Sequence, residues 1–188
     1  GLETKRGGQP LEPTITGLIE GYRNGERSVV DVVEQALERI ENMDRKGPTL
    51  NAMIEVDDHG LDHAAALERN RSSHSELPPL YGIPLVIKDN INVAGLATTG
   101  GSAAFRELRP AEDATVVARL KSAGAIILGK SSMSEFAWST YDTENSLISG
   151  YTRNPYHLDY ASGGSSGGTG VAVAAGYCVA GLGTDTGC

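Results

Sequence analysis

The 188-residue sequence predicts an α/β fold with a helical N-terminal segment, on three observations. Two short apolar runs, Ile83-Pro84-Leu85-Val86-Ile87 and Ala125-Ile126-Ile127-Leu128, bracket a helical pattern of Val116, Val117 and Leu120. A strand, a helix and a strand in that order favour a crossover and a parallel pair. Ahead of them, apolar residues recur at helical rather than strand spacing. Finally, 39% hydrophobic and 21% charged residues are enough to bury a core.

Residues 1–13, with two prolines and Gly7-Gly8, read as a loose lead-in. From Thr14, the rhythm Ile15, Leu18, Ile19, Tyr22 predicts a short helix that Asn24-Gly25 ends. Ser28 has the character of an N-cap, and with Asp31 three positions on it makes a capping-box pattern. Val30, Val33, Leu37, Ile40 and Met43 then repeat at helical spacing. After Gly47-Pro48, a strand is expected within Leu50 to Val56 and a helix over Asp57 to Arg71, followed by a polar loop through Ser72-Ser73-His74-Ser75. Pro84 stands near the start of the first buried strand, where a missing N–H is tolerated. Asp113 is the expected cap of the next helix, and Gly124 its end. The second strand runs out at Gly129-Lys130. A small-residue helix is expected over Thr169 to Gly176. Residues 1–79 read as a helical segment of the same domain whose α/β core is 80–188.

Composition restricts partners. A net charge of −8 offers no positive field for phosphate backbones or acidic membrane surfaces. No run reaches the roughly 18 apolar residues of a membrane span, and the polar start has no signal-peptide core. A cytoplasmic location is expected, and Cys178 and Cys188 form neither a disulfide framework nor a metal spacing. Because the chain starts at Gly1 and not at Met, earlier removal of a targeting segment stays open.

The chemistry concentrates in Gly163-Gly164-Ser165-Ser166-Gly167-Gly168, where four glycines bracket two adjacent hydroxyls. Glycine permits backbone geometries closed to other residues, so such a loop can hold a reactive side chain. A flexible linker is the plain alternative, but an apolar Val171-Ala172-Val173-Ala174-Ala175 run follows at once. The loop lacks the Lys-Ser/Thr pair of a phosphate-binding loop, and Gly181-x-Gly183 has its next glycine at Gly187, one residue too far for a dinucleotide fingerprint. Lys88 and Lys130 fall at the carboxyl ends of the two predicted strands, where open α/β sheets place ligands. Each is either a chain reaching for water or a catalytic base. The second role requires an ammonium of pKa about 10.4 to lose its proton near pH 7, through burial or a neighbouring cation. His59 and His63, four apart on a predicted helix, lack a third ligand and the glutamate of a zinc-protease motif, so no metal is expected. No Gly-x-Ser-x-Gly elbow follows a buried strand, and His59, His63, His74 and His157 lie in polar stretches. A Ser–His–Asp hydrolase is therefore disfavoured.

Five segments together resemble the amidase signature family of hydrolases: Tyr81 to Asn90, Gly124 to Lys130, Asn154-Pro155, Gly163 to Gly168, and Gly183-Thr184-Asp185-Thr186-Gly187. They occur in the family's order and spacing from about Leu80 onward. The resemblance implies a mixed central sheet flanked by helices, incomplete in this chain, and a Ser–cis-Ser–Lys triad. Lys88 is similar in position to the family's lysine, and Ser165 to the bridging serine, with a cis peptide bond at Gly164-Ser165. The turn Thr186-Gly187-Cys188 resembles the oxyanion hole, Ser166 a supporting hydrogen-bonding residue, and Trp138 either an acyl-side wall or a core aromatic. Counted along the motif, the nucleophilic serine belongs one residue beyond Cys188, and Cys188 stands at the motif's second glycine. The chain is accordingly expected to be an N-terminal portion of a longer enzyme, without hydrolytic activity by itself.

The activity so implied is hydrolysis of a linear C–N amide bond without a cofactor, on a small-molecule amide. Nucleic acid and membrane are not expected partners, and a homodimer is the candidate assembly. The alternatives are the A-type subunit of an amidotransferase and a non-catalytic binding fragment. Need for partner subunits marks the first, and ligand binding without labelling by a serine-reactive fluorophosphonate marks the second.

Overall fold

The computed structural model describes residues 14–71, 76–138, 145–146 and 148–186. Thr14 begins the first helix, α1 (Ile15–Asn24), by accepting the Gly17 N–H on its hydroxyl at 3.0 Å, and Gly25 ends it in the left-handed conformation. Leu18 and Tyr22 carry its buried stripe. Helix α2 (Val29–Ile40) starts at Ser28, whose Oγ accepts the Asp31 N–H at 2.9 Å. A second cap comes from a distant element: the Glu68 carboxylate of α3 (Gly60–Arg69) accepts the N–H groups of Val29 and Val30. Those are donors that an isolated helix leaves without partners. Replacing Ser28 with alanine should lower stability by only about 1 kcal/mol, because Glu68 still serves the same turn. A denaturation midpoint unchanged by the substitution would contradict this.

A π-helical turn, Glu41–Arg45, continues α2 and buries Asp44. That carboxylate accepts the N–H groups of Ala52 and Met53 at 2.6 and 3.3 Å and the Tyr177 hydroxyl at 3.4 Å, while burial pushes its pKa up. The start of the sheet is thereby tied to the end of the last helix.

The sheet is mixed, in the order β1 (Met53–Val56), β3 (Ile126–Ser131), β2 (Pro84–Lys88), β6 (Ala180–Leu182). Strands β2 and β3 run parallel, as do β2 and β6, whereas β1 is antiparallel to β3. A two-stranded ribbon of β4 (Asn145–Ser146) and β5 (Gly150–Tyr151) stands apart from it. The N-terminal segment thus gives the sheet an edge strand, and α2 packs Val32, Val33, Ala36 and Ile40 into the core that holds Ile83, Val86, Ile87 and Leu128. No helix among the described residues is long and apolar enough to cross a membrane.

Several boundaries differ from the sequence pattern. Strand β3 continues past its apolar run through Gly129, Lys130 and Ser131, all buried, and β2 likewise ends on buried Lys88. Helix α4 (Thr115–Ser122) follows Ala114, and Asp113 is not its cap. The Asp113 carboxylate instead accepts the Ala94 N–H and pairs with Lys121, both at 2.8 Å. Helix α5 (Gly167–Ala174) begins two residues earlier than the expected Thr169, inside the glycine-rich loop. Its Gly168 lies against the Ser132 and Ala52 backbone, so the helix starts in close contact with the sheet.

Candidate active site

The carboxyl ends of β2 and β3 meet the loop that leads into α5. The Gly164–Ser165 peptide is cis, Gly163 has φ +77°, and the Ser165 carbonyl accepts the Ser134 N–H at 3.2 Å. Ser165 is only 6% exposed and Lys88 wholly buried. Lys88 Nζ donates to Ser165 Oγ at 2.7 Å and to Thr184 Oγ1 and O at 2.9 and 3.3 Å. This is a buried amine in direct contact with a buried hydroxyl. Such contact is the geometric requirement for proton transfer between them.

Thr184 holds this contact from the opposite side. Its hydroxyl also accepts from Asn90 Nδ2 at 3.0 Å. The Ser166 hydroxyl donates to its carbonyl at 3.1 Å and accepts its N–H at 3.3 Å. Behind the lysine, Ser131 is the register partner of Lys88, and its Oγ shares a 2.7 Å hydrogen bond with Thr169 of α5. The helix, both strand ends and the segment after β6 therefore converge on one amine.

Lys130, the other lysine left open by the sequence, has a different environment. Its Nζ donates to Thr98 Oγ1 at 2.8 Å, to the Ala97 carbonyl at 3.0 Å and to Asp89 Oδ1 at 3.3 Å. All three ammonium protons have acceptors within the fold. Burial lowers its pKa, and the Asp89 carboxylate acts in the opposite direction.

Of the other residues singled out from sequence, Ser166 supports Thr184 and Thr186 is exposed, while Gly187 and Cys188 lie outside the described residues. His74 also lies outside them. Trp138 is 68% exposed in this chain; it follows the 3₁₀ turn Glu135–Ala137, which starts after the Ser134 that touches Ser165. His59 and His63 face Asp62 and Asp57 at 3.5 and 3.4 Å, and no group of three metal-binding side chains exists among the described residues. Cys178 is buried, which pushes its thiol up to about 12 and leaves it poorly suited to nucleophilic chemistry. Thr184 and Asn90 were not singled out. Both stand within segments that resemble the family, Asn90 at the end of Tyr81–Asn90 and Thr184 in Gly183–Gly187, but a hydroxyl between a glycine and an aspartate carries no sign of what it will touch.

A family model described as Amidase matches residues 31–188. Among sequence relatives, the A-type subunit of glutamyl-tRNA(Gln) amidotransferase from a Synechococcus strain is 41% identical over 175 residues, 93% of this chain and 35% of that protein. Its counterpart of the same name from Desulforapulum autotrophicum is 43% identical over 176 residues, 94% of this chain and again 35% of that protein. Among solved structures, the peptide amidase of Stenotrophomonas maltophilia is 40% identical with a TM-score of 0.82, over 89% of this chain and 35% of that one. An amidase family protein of Bacillus anthracis is 33% identical with a TM-score of 0.87, over 94% and 36%. The chain spans about a third of the length of the relatives it matches. With the family model spanning most of its residues and solved amidases sharing its mixed sheet, the chain belongs to the amidase signature family.

Proposed function

We propose that the longer protein containing this chain hydrolyses a linear C–N amide bond through an acyl-enzyme, with Lys88 as base and Ser165 as proton relay. The 2.7 Å contact between Lys88 Nζ and Ser165 Oγ, buried at the sheet's carboxyl end, is the observation that supports it most. In this reading the neutral Lys88 amine takes the Ser165 proton while Ser165 takes the proton of a nucleophilic serine that follows Cys188. That serine attacks the amide carbonyl, the C–N bond breaks as the amine leaves with a proton returned along the same relay, and water then releases the acid. Thr184 keeps the lysine aimed at the relay, and Ser166 keeps Thr184 in place. Backbone N–H groups of Thr186-Gly187-Cys188 are assigned to the developing oxyanion, and Trp138 to the acyl-side wall. The substrate is a small-molecule amide, and no step calls for a cofactor.

A second reading is supported by the names of the relatives at 41–43% identity: the A-type subunit of an amidotransferase, whose acyl-enzyme step serves an acceptor bound elsewhere in an assembly. Release of ammonia or amine from a panel of primary and N-substituted carboxamides, glutamine included, separates the two. The hydrolase reading predicts turnover by the full-length protein alone. Release that begins only when partner subunits are added would replace it with the second, and no release under either condition would overturn both.

A further inference from the structure

The two buried lysines are neighbours across the sheet, yet they point away from each other. Ile87 is paired in register with Lys130, and Lys88 with Ser131. Side chains alternate along strands, so Lys88 and Ser131 share the face covered by α5, and Lys130 shares the opposite face with Asp89. On that back face Asp89 is held from all sides. Its Oδ1 meets Lys130, and its Oδ2 accepts from Thr99 N, Thr99 Oγ1 and Gly101 N. Its own N–H donates to the Ser131 carbonyl at 3.1 Å, and its carbonyl accepts from Gly100. Both partners of the 3.3 Å ion pair are wholly buried.

A buried carboxylate next in sequence to Lys88 is a hazard for a base that must be neutral. An opposite charge close by favours the ammonium form. We propose that Lys130 is a positioning residue for the reaction: by pairing with Asp89 on the back of the sheet, it keeps that carboxylate from serving as counter-ion to Lys88 and holds the end of β2 so that the amine meets Ser165. The proposal rests on Lys88 being the base. Among the described residues, no other charged group named for this pair duplicates the role. Glu55, which reaches Lys130 electrostatically from β1, is itself engaged by Arg109 at 2.8 Å and the Ala97 N–H at 2.6 Å. On the Lys88 side, the segment carrying Thr184 brings only Asp185, which is exposed to solvent.

The test is the rate of covalent labelling of the full-length protein by a fluorophosphonate, measured against pH. Labelling requires the neutral base and should rise with pH through its midpoint. In Lys130→Met, Asp89 is left uncompensated, so the midpoint moves up by about one unit and the rate below it falls about tenfold. In Asp89→Asn/Lys130→Met, both charges are gone and the midpoint returns to that of the parent protein. Lys130→Arg, which keeps the charge, retains the parental midpoint. If Lys130→Met does not fold, Asp89→Asn decides: with the carboxylate removed and the ammonium kept, the midpoint moves down. A folded Lys130→Met with the parental midpoint, a double variant shifted as far as the single one, or an unmoved Asp89→Asn each overturns the proposal. Lys88→Ala is measured alongside. If it labels like the parent, the assignment of the base has failed. If its labelling is lost while the Lys130 variants keep their midpoint, only the positioning role has failed.

Discussion

Replacing Ser165 with alanine in the full-length protein is expected to lower amide turnover by about three orders of magnitude, with the fold intact. The size follows from what a positioned proton-transfer group contributes, about 10²–10⁴-fold. The specificity follows from geometry: Ser165 Oγ is the atom that Lys88 Nζ touches at 2.7 Å, and alanine removes the hydroxyl that would relay the proton to the amine. Ser165→Ala removes one oxygen from a site whose backbone is fixed independently, through the Ser134 N–H on the Ser165 carbonyl and the packing of Gly168. Thermal stability should therefore change little while kcat collapses. Turnover within tenfold of the parent would remove Ser165 from the relay.

Gly168→Ala is expected to have the largest effect on stability. A Cβ at this position stands 2.5 Å from both N and O of Ser132 and 2.6 Å from the Ala52 carbonyl. All three are backbone atoms, and the Ser132 N–H is bonded to that same carbonyl at 2.8 Å, so none can yield without opening the join between β3 and the residue before β1. Overpacking of a tight interior costs about 1–3 kcal/mol where side chains can shift, and more where only backbone is available. The natural control lies two residues on. Gly170, in the same helix, has no atom within 4 Å of an added Cβ, so Gly170→Ala should be neutral or stabilise by up to about 1 kcal/mol. Soluble yield and denaturation midpoint of the two variants provide the comparison. A Gly168→Ala protein that melts with the parent would mean that α5 does not start where the structure has it.

Gly168 and Gly170 are alike in sequence and differ only in what distant backbone lies against them. Sequence pattern located the helices through Leu18, Tyr22, Val33 and Ile40, because apolar stripes are a local property. It located β2 and β3 through their apolar runs, yet it let β3 run out at Gly129-Lys130, whereas Lys130 and Ser131 both stay in the sheet. They stay because Asp89, Thr98 and Thr169 wait for them, and those partners come from distant parts of the chain. The same reason separates the two lysines. On periodicity they are equivalent, and only the third dimension gives one a hydroxyl loop and the other a carboxylate. Asp113 shows the reverse error. Its local position made a good helix cap, but a nearby lysine and the Ala94 N–H compete for the carboxylate and win. Thr184 stands within the Gly183–Gly187 segment, but its role emerges only from the distances to Lys88, Asn90 and Ser166.

The central claim is that Lys88 activates a serine through Ser165, and the most direct measurement is the intact mass of the full-length protein after exposure to a fluorophosphonate. One adduct per chain is expected in the parent protein and none in Lys88→Ala on the same time scale. Equal labelling of the two proteins would contradict the claim, since the serine would then be reactive without the amine that the structure places beside Ser165.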